Sequence, residues 1–242
     1  MTRKDRAYAA AVLGSVLALI LVVVMVFQFG QHHPSPPSLQ DHPNLAIPGT
    51  LVYFDKDGCI IRVAASGGIR EKTYCASKES RGLITWVDSH TVAYQLFTKP
   101  EVRWVIVDLD TKAMSEVTGP SASPPQVFPG GRGLTSIRGE SVDVDGKTGK
   151  VFVVSEGKRM EIADFEVREY GGPEPLTWSP DGDWMLLAYH PPRDYDRSEL
   201  WILSRDGQRR GTLAKDLSFS GASWWIEGLG AMPKVDGVPA AK

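Results

Sequence analysis

The chain has 242 residues, room for one domain of about 200 residues with its own core plus an appendage. Apolar residues make up 42% of it and charged residues 23%, an ordinary globular balance. A formal net charge of -2 gives no basic face of the kind a nucleic-acid partner requires, so no nucleic acid is expected.

Residues 1–6 carry Arg3, Lys4 and Arg6, and Ala7 to Phe29 is then an uncharged run of 23 residues rich in Leu, Val and Ala. As a helix, at about 1.5 Å per residue, such a run is long enough to cross roughly 30 Å of hydrocarbon. A cleaved signal peptide is the competing reading. Its apolar region is usually about 7–15 residues with a small-residue exit, and Gln28-Phe-Gly-Gln-His-His-Pro34 offers no such exit. Residues 7–29 therefore read as an uncleaved transmembrane signal-anchor. No Lys or Arg follows it until Lys56, so the positive-inside rule puts residues 1–6 in the cytoplasm and the rest outside. The expected setting is the cell membrane, single-pass, with an extracytoplasmic domain. A span without ionisable groups argues against a pore or a transporter. Residues 30–48 form a linker whose Pro34-Ser-Pro-Pro-Ser38 favours an extended spacer. His32, His33, Asp41 and His42 lie in it without a packed second shell, so no metal site is expected there.

The domain, residues 49–242, reads as short strands separated by turn residues. Thr50 to Phe54, Cys59 to Ala64 and Ile69 to Cys75 form the first group, with Ser66-Gly67-Gly68 as a hairpin turn. If that hairpin centres on Gly67, Cys59 and Cys75 stand directly opposite. Opposed cysteines on antiparallel neighbours can meet disulfide geometry, and outside the cytoplasm such a bond persists. A Cys59–Cys75 disulfide is expected, the alternative being two buried thiols. The second group is Leu83 to Val87, Thr91 to Phe97, Arg103 to Asp108 and a short strand to about Val117. The third is degenerate: Leu134 to Ile137, Ser141 to Val144, Val151 to Val154 and Met160 to Phe165. Asp143-Val-Asp145-Gly146 has the look of a calcium loop, but Lys147 and Val154 stand where ligands are needed, so it reads as a hairpin turn. Lys158-Arg159 and Arg209-Arg210 sit beside predicted turns and read as solvated loop charges.

The fourth group is the clearest. Leu176-Thr-Trp-Ser-Pro-Asp-Gly182 is followed by the strands Asp183 to Tyr189, Glu199 to Ser204 and about Arg210 to Ala214. In Ser179-Pro-Asp-Gly182, Pro180 presets the first corner, Asp181 bonds nearby backbone and Gly182 takes the strained conformation. Four short strands with turns between them make one propeller blade. This stretch resembles the repeat of the TolB-type propellers, related to WD-type repeats, whose units carry a Trp-Ser-Pro-Asp-Gly turn before an apolar strand. Leu83 to Val117 and Thr50 to Cys75 match it more weakly. The resemblance implies an all-β propeller fold and says little about function, and the strand groups of this chain supply about four four-stranded blades behind the transmembrane helix.

Trp86 matches Trp178 and Trp104 matches Trp201, a repetition that favours packing between blades over a stacking surface. Gly221 to Glu227 resembles the opening strand of a blade, which the first group lacks. Taking Thr85, Thr135, Thr177 and Ser223 as equivalent gives propeller-like spacing. Residues 222–227 are then expected to complete the first blade and close a four-bladed ring. TolB-type propellers have more blades than this chain supplies, so an open fragment completed by a partner is the other reading.

No Gly-x-Ser-x-Gly elbow, phosphate loop or His-Glu-x-x-His is present, and there is no room for the hydrolase domain that prolyl oligopeptidases add to a propeller. His90 and His190 are the domain's only candidate bases, and His190 reads as a solvated loop residue. No catalytic residue, cofactor or metal ligand is assigned. The expectation is a non-catalytic module that binds another envelope or surface protein, or a ligand, through Lys99 and Glu101 and through His190, Arg193, Asp194, Tyr195 and Asp196 in exposed loops. The alternative is a small-molecule sensor or hydrolase using the central pocket.

Overall fold

The computed structural model describes residues 46–75, 80–98, 101–117, 134–167, 171–192, 198–215 and 217–234. All lie in one compact unit, Pro37–Lys242. The expected membrane span 7–29, the tail before it and residues 30–45 of the linker lie outside the described residues. Among the described residues no helix is long and apolar enough to cross a membrane.

The described chain is all-β: four antiparallel sheets with the strand order of propeller blades. Blade 1 holds β1 (Thr50–Asp55), β2 (Cys59–Ala64) and β3 (Glu71–Cys75), joined by β15 (Leu217–Ile226) and β16 (Gly230–Met232) in the order β16-β15-β1-β2-β3. Blade 2 is β4 (Ser80–Trp86), β5 (Thr91–Thr98), β6 (Glu101–Asp108) and β7 (Met114–Val117). Blade 3 is β8 (Ser141–Asp145), β9 (Lys150–Ser155) and β10 (Lys158–Asp164), and blade 4 is β11 (Gly172–Trp178), β12 (Trp184–His190), β13 (Glu199–Ser204) and β14 (Arg210–Ala214). The expected set of four four-stranded blades is thus modified twice. Blade 1 gains the unforeseen β16, and among the described residues the inner segment of blade 3 pairs through a single bridge, Thr135 to Ser141.

The tail does complete blade 1. β15 runs antiparallel to β1 with Thr50 opposite Trp225, Leu51 opposite Trp224 and Val52 opposite Ser223. Successive side chains of a strand point to opposite faces, and here both faces are dry. Leu51, Tyr53 and Trp224 join Trp184, Leu186, Leu200 and Ile202 in a core between blades 1 and 4. Val52, Phe54 and Ile60 join Val92, Tyr94, Val105 and Val107 between blades 1 and 2. A third core, with Val142, Val151, Val153, Trp178, Met185 and Trp201, joins blades 3 and 4. These three cores explain why the strands of blades 1, 2 and 4 read as continuous apolar runs rather than alternations.

Blade 3 alternates. Its other face carries Arg159 paired with Asp143 at 2.7 Å and stacked on Phe152, and Lys150 paired with Glu161 at 2.7 Å. Arg159 is therefore tied down rather than a free loop charge, and Arg209 likewise lies 4.4 Å over the Trp184 ring. On the far side of blade 2, Ala93, Trp104 and Ile106 form a small cluster of their own. Among the described residues no core joins blade 2 to blade 3.

Cys59 and Cys75 pair across β2 and β3 and form a disulfide, with Cα atoms 3.9 Å apart. The register then shifts by one between Ile60 and Ile61, so the hairpin is not symmetric about Gly67 along its whole length. The bond closes a loop with a sequence separation of 16 residues. Chain-entropy reasoning assigns such a loop about 3 kcal/mol, mostly by restricting the unfolded chain. Replacing both cysteines by Ala should lower unfolding stability in urea by about 2–4 kcal/mol. Adding reductant should lower the midpoint of the natural chain to that of the double variant and leave the variant where it is.

Candidate functional site

One turn recurs on one end of the sheets. In Ser179-Pro-Asp-Gly182 the Ser179 hydroxyl donates to Asp181 and accepts from the Trp184 amide, and Gly182 sits at φ +75°. In Ser204-Arg-Asp-Gly207 the Ser204 hydroxyl donates to Asp206 and accepts from the Arg209 amide, with Gly207 at φ +71°. Each turn closes its hairpin with a serine and an aspartate, and a left-handed glycine completes it. The Ser204 hydroxyl and then the Gln208 amide hold the Asp206 carboxyl below its ordinary value.

At this same end each blade's opening strand finishes with a large ring, except one. Trp86 donates its indole N–H to the Ser223 carbonyl of blade 1 at 3.3 Å, and Trp178 donates to the Leu134 carbonyl of blade 3 at 3.2 Å. Trp224 is wholly buried between blades 1 and 4 and donates to the Pro48 carbonyl at 3.0 Å. The expected equivalence of Thr135 with Thr85 and Thr177 is off by one. Thr135 opposes Ser141 with Ser136 N–H bonded to the Glu140 carbonyl, just as Trp178 opposes Met185 with Ser179 N–H bonded to the Trp184 carbonyl. So Thr135 occupies the tryptophan's place and Leu134 the threonine's. A one-residue slip sends a side chain to the other face, and Thr135 is exposed where Thr85 and Thr177 are buried.

That substitution of a small residue for an indole leaves room. A cleft of ≈ 360 Å³ opens there, lined by Leu134 to Ile137 of blade 3, by Thr177, Trp178 and Pro180 of blade 4, and by Leu229 and Met232 to Lys234 of blade 1. The lining is apolar with hydroxyls, and Lys234 is its one charged residue. Ile137 and Leu229 on the rim are 65% and 47% exposed. The far wall includes Met232 of β16, the strand paired with β15. Ala231 packs toward the core of blades 1 and 2, Met232 toward that of blades 3 and 4. The hydroxyls of Ser223 and Thr85 donate to the carbonyls of Met232 and Pro233 at 2.9 and 3.0 Å.

Polar ties hold the blade 3 side of the cleft in place. Arg138 pairs with Asp183 at 2.6 Å, and the fully covered Glu140 carboxylate receives Arg205 Nε at 2.6 and 2.8 Å. Gly182 lies directly beneath this turn: a Cβ there would come within 3.1 Å of Ile137.

The residues picked from the sequence lie elsewhere. Lys99, Arg193, Asp194, Tyr195 and Asp196 are outside the described residues. Glu101 is not in a loop: it is the first residue of β6, paired with Thr98. His190 ends β12 and is not solvated. Its side chain is 15% exposed, with Nδ1 2.9 Å from Ser198 Oγ and Nε2 3.7 Å from Glu174. Ser198 is itself buried, and this series of contacts ties β11 and β12 to the start of β13. His90 is exposed and bonded to Asp110 at 2.7 Å. β5 ends and β6 begins, and β12 ends and β13 begins, at the end of the sheets opposite to the cleft. Sequence reasoning missed the cleft, and the missing tryptophan at Thr135 was its one readable sign.

No family model matches the chain, and no curated protein does. Solved structures similar to it include TolB from Acinetobacter baumannii, at 13% identity and a TM-score of 0.27 over 69% of this chain and 41% of that one. A nidogen/laminin complex matches at 13% identity and 0.28 over 73% and 70%, and a prolyl endopeptidase at 11% and 0.28 over 67% and 27%. This chain spans less than half the length of that TolB. Likenesses this faint carry no weight, and the blade architecture rests on the strand order and the three cores.

Tyr189 lies in the blade 3–4 core beside His190, its ring 4.9 Å from Phe165 and its hydroxyl donating to the Glu166 carbonyl at 3.1 Å. Burial, aided by the Glu166 and Glu199 carboxylates, pushes its ionisation up to about 12. An unfolded tyrosine titrates at about 10. The stabilisation from the neutral phenol is thus complete below pH about 10 and is lost as pH rises through the folded value. Tyr189→Phe should remove part of the alkaline loss of stability, read as a flatter profile of unfolding midpoint against pH from 9 to 12.

Proposed function

We propose that this chain is a membrane-anchored, extracytoplasmic, non-catalytic binding module that holds another envelope or surface protein at the cleft beside Thr135. The observation that carries the reading is the chemistry of the lining. Exposed Ile137 and Leu229 flank an apolar hollow with hydroxyls and one lysine, an anchor-pocket composition rather than a set of acids and bases. The uncharged run at 7–29 and the disulfide support a position outside the cytoplasm. β16 packs toward both the blade 1–2 and the blade 3–4 cores, taking space that a central small-molecule pocket would use, which favours a protein surface over a sensor or hydrolase pocket.

The test is site-directed photo-cross-linking of the full-length protein in its native membrane. Probes at Ile137 and Leu229 should trap one dominant envelope protein, while a probe at Met160, exposed on the outer strand of blade 3, should not. Thr135→Trp, which fills the cleft, should abolish the adduct, and Thr135→Ser should keep it. Substitutions at exposed positions such as Ile137 and Leu229 should change stability by less than about 0.5 kcal/mol, so a lost adduct reports contact and not unfolding. Equal trapping from Met160, or none from either rim position, would sink the reading.

A further inference from the structure

The strand β16 has the features of a bound peptide rather than of a structural strand. It is three residues long, each half-buried, whereas β1, on the other side of β15, is almost wholly buried. It pairs with β15 at only three positions: Trp224 with Met232, Trp225 with Ala231 and Ile226 with Gly230. A turn bracketed by two left-handed glycines, Gly228 at φ +80° and Gly230 at +86°, connects it to β15. Most of what holds it is aimed at backbone. Ser223 Oγ and Thr85 Oγ1 reach the carbonyls of two successive residues, Met232 and Pro233. With β16 seated, both hydroxyl-bearing residues are buried, at 0% and 2% exposure. Without an extended chain on the β15 edge, Ser223 would lose the acceptor of its hydroxyl while still receiving the Trp86 amide. Two hydroxyls set to meet successive carbonyls make this edge a receptor for main chain.

We propose that the inner edge of β15, with Ser223 and Thr85, is a strand-accepting site that Gly230–Lys234 fills in cis, and that the partner's extended segment takes it in trans by displacing β16. The seated segment shows what the site accepts. A small residue stands where Ala231 faces the blade 1–2 core, an unbranched or branched apolar residue where Met232 reaches the blade 3–4 core, and proline follows. Strand addition at a sheet edge supplies affinity through main-chain bonds and specificity through alternate side chains. The cleft lies against the free side of β16 and gives an incoming chain its first foothold on Ile137 and Leu229. This deepens the cleft reading by naming the partner's chemistry, and it rests on that reading for where the partner first touches.

The experiment compares full-length protein in detergent micelles with a variant ending at Leu229. The probe is a fluorescein-labelled synthetic peptide of residues 228–234, followed by anisotropy. The shortened chain should bind the peptide at least about ten-fold more tightly than the intact chain, whose own strand competes for the same edge. Ser223→Ala in the shortened chain should weaken binding by about 5–10-fold, the loss of one hydrogen bond to a buried acceptor. A shortened chain that keeps its β spectrum and disulfide yet binds no peptide, or binds a scrambled one equally, overturns the proposal. Should the shortened chain not fold, hydrogen exchange on the intact protein decides. Amides of Gly230–Met232 should exchange at least about 100-fold faster than those of Leu51–Tyr53, and matched rates overturn it. Peptide binding without any adduct from the rim probes would leave the strand site standing and remove the cleft as the contact surface. Adducts without peptide binding would do the reverse.

Discussion

The pairing of β15 with β1 is the interaction on which the rest depends. It joins a strand late in the domain to the first one, and it places one tryptophan in each of two cores: Trp224 between blades 1 and 4, Trp225 against the core of blades 1 and 2. Without it, β1 and β15 would each present an unpaired edge, and two of the three inter-blade cores would lose a wall. The cost is kinetic. Strands this far apart in sequence close a long loop before their contact returns any stabilisation, which slows its formation. The blades between them must first be held by their own hairpins, and the Ser-x-Asp-Gly turns of blade 4 and the disulfided hairpin of blade 1 are local devices of that kind.

The same construction explains where the cleft lies. Three opening strands end in a tryptophan that reaches the neighbouring chain, and an indole there both fills volume and donates a hydrogen bond. Blade 3 has Thr135 at that position. Lacking the ring, it also lacks the second apolar face, and its outward side is finished with ion pairs. What blade 3 lost in apolar packing it replaces in part with the bidentate Arg205–Glu140 contact and the Arg138–Asp183 pair, both directed at blade 4. A covered carboxylate such as Glu140 holds position only while its arginine is there, so these ties fix the rim of the cleft rather than add much net stability.

Much of the fold was legible because its signals are local. Apolar runs bounded by Gly and Asp placed nearly every strand of blades 1, 2 and 4. The Cys59–Cys75 pairing matched the expected one although the register slips by one nearer the turn, and the likeness of 222–227 to other opening strands located the closing strand. What escaped depended on comparison or distance. The Thr135 register needs hydrogen-bond pairs to settle, because two threonines, Thr135 and Thr177, suggest a plausible alignment that is off by one. Gly230–Met232 is too short and too glycine-rich to read as a strand, and it is one only because β15 and two hydroxyls hold it. His190 is followed by prolines and acids in the sequence, which signals a loop, yet it is the last residue of a core strand. Its environment is supplied by Ser198 and Glu174, which sequence proximity does not reveal.

These asymmetries rank the blades by local stability. Blades 1, 2 and 4 are apolar on both faces. Blade 3 has one apolar face, three strands and a single bridge for its inner segment. Regions with fewer buried contacts open at lower free energy than the global transition. The Leu134 to Ile137 wall of the cleft, with little pairing of its own, is held by the Arg138–Asp183 and Arg205–Glu140 ties, while the opposite wall is the lightly held β16. Trp178 and Pro180 complete the lining from blade 4. A surface that must admit an extended chain gains from this division: tied walls set register, and one light strand yields its edge without breaking the pairing of β1 with β15 on which the domain depends.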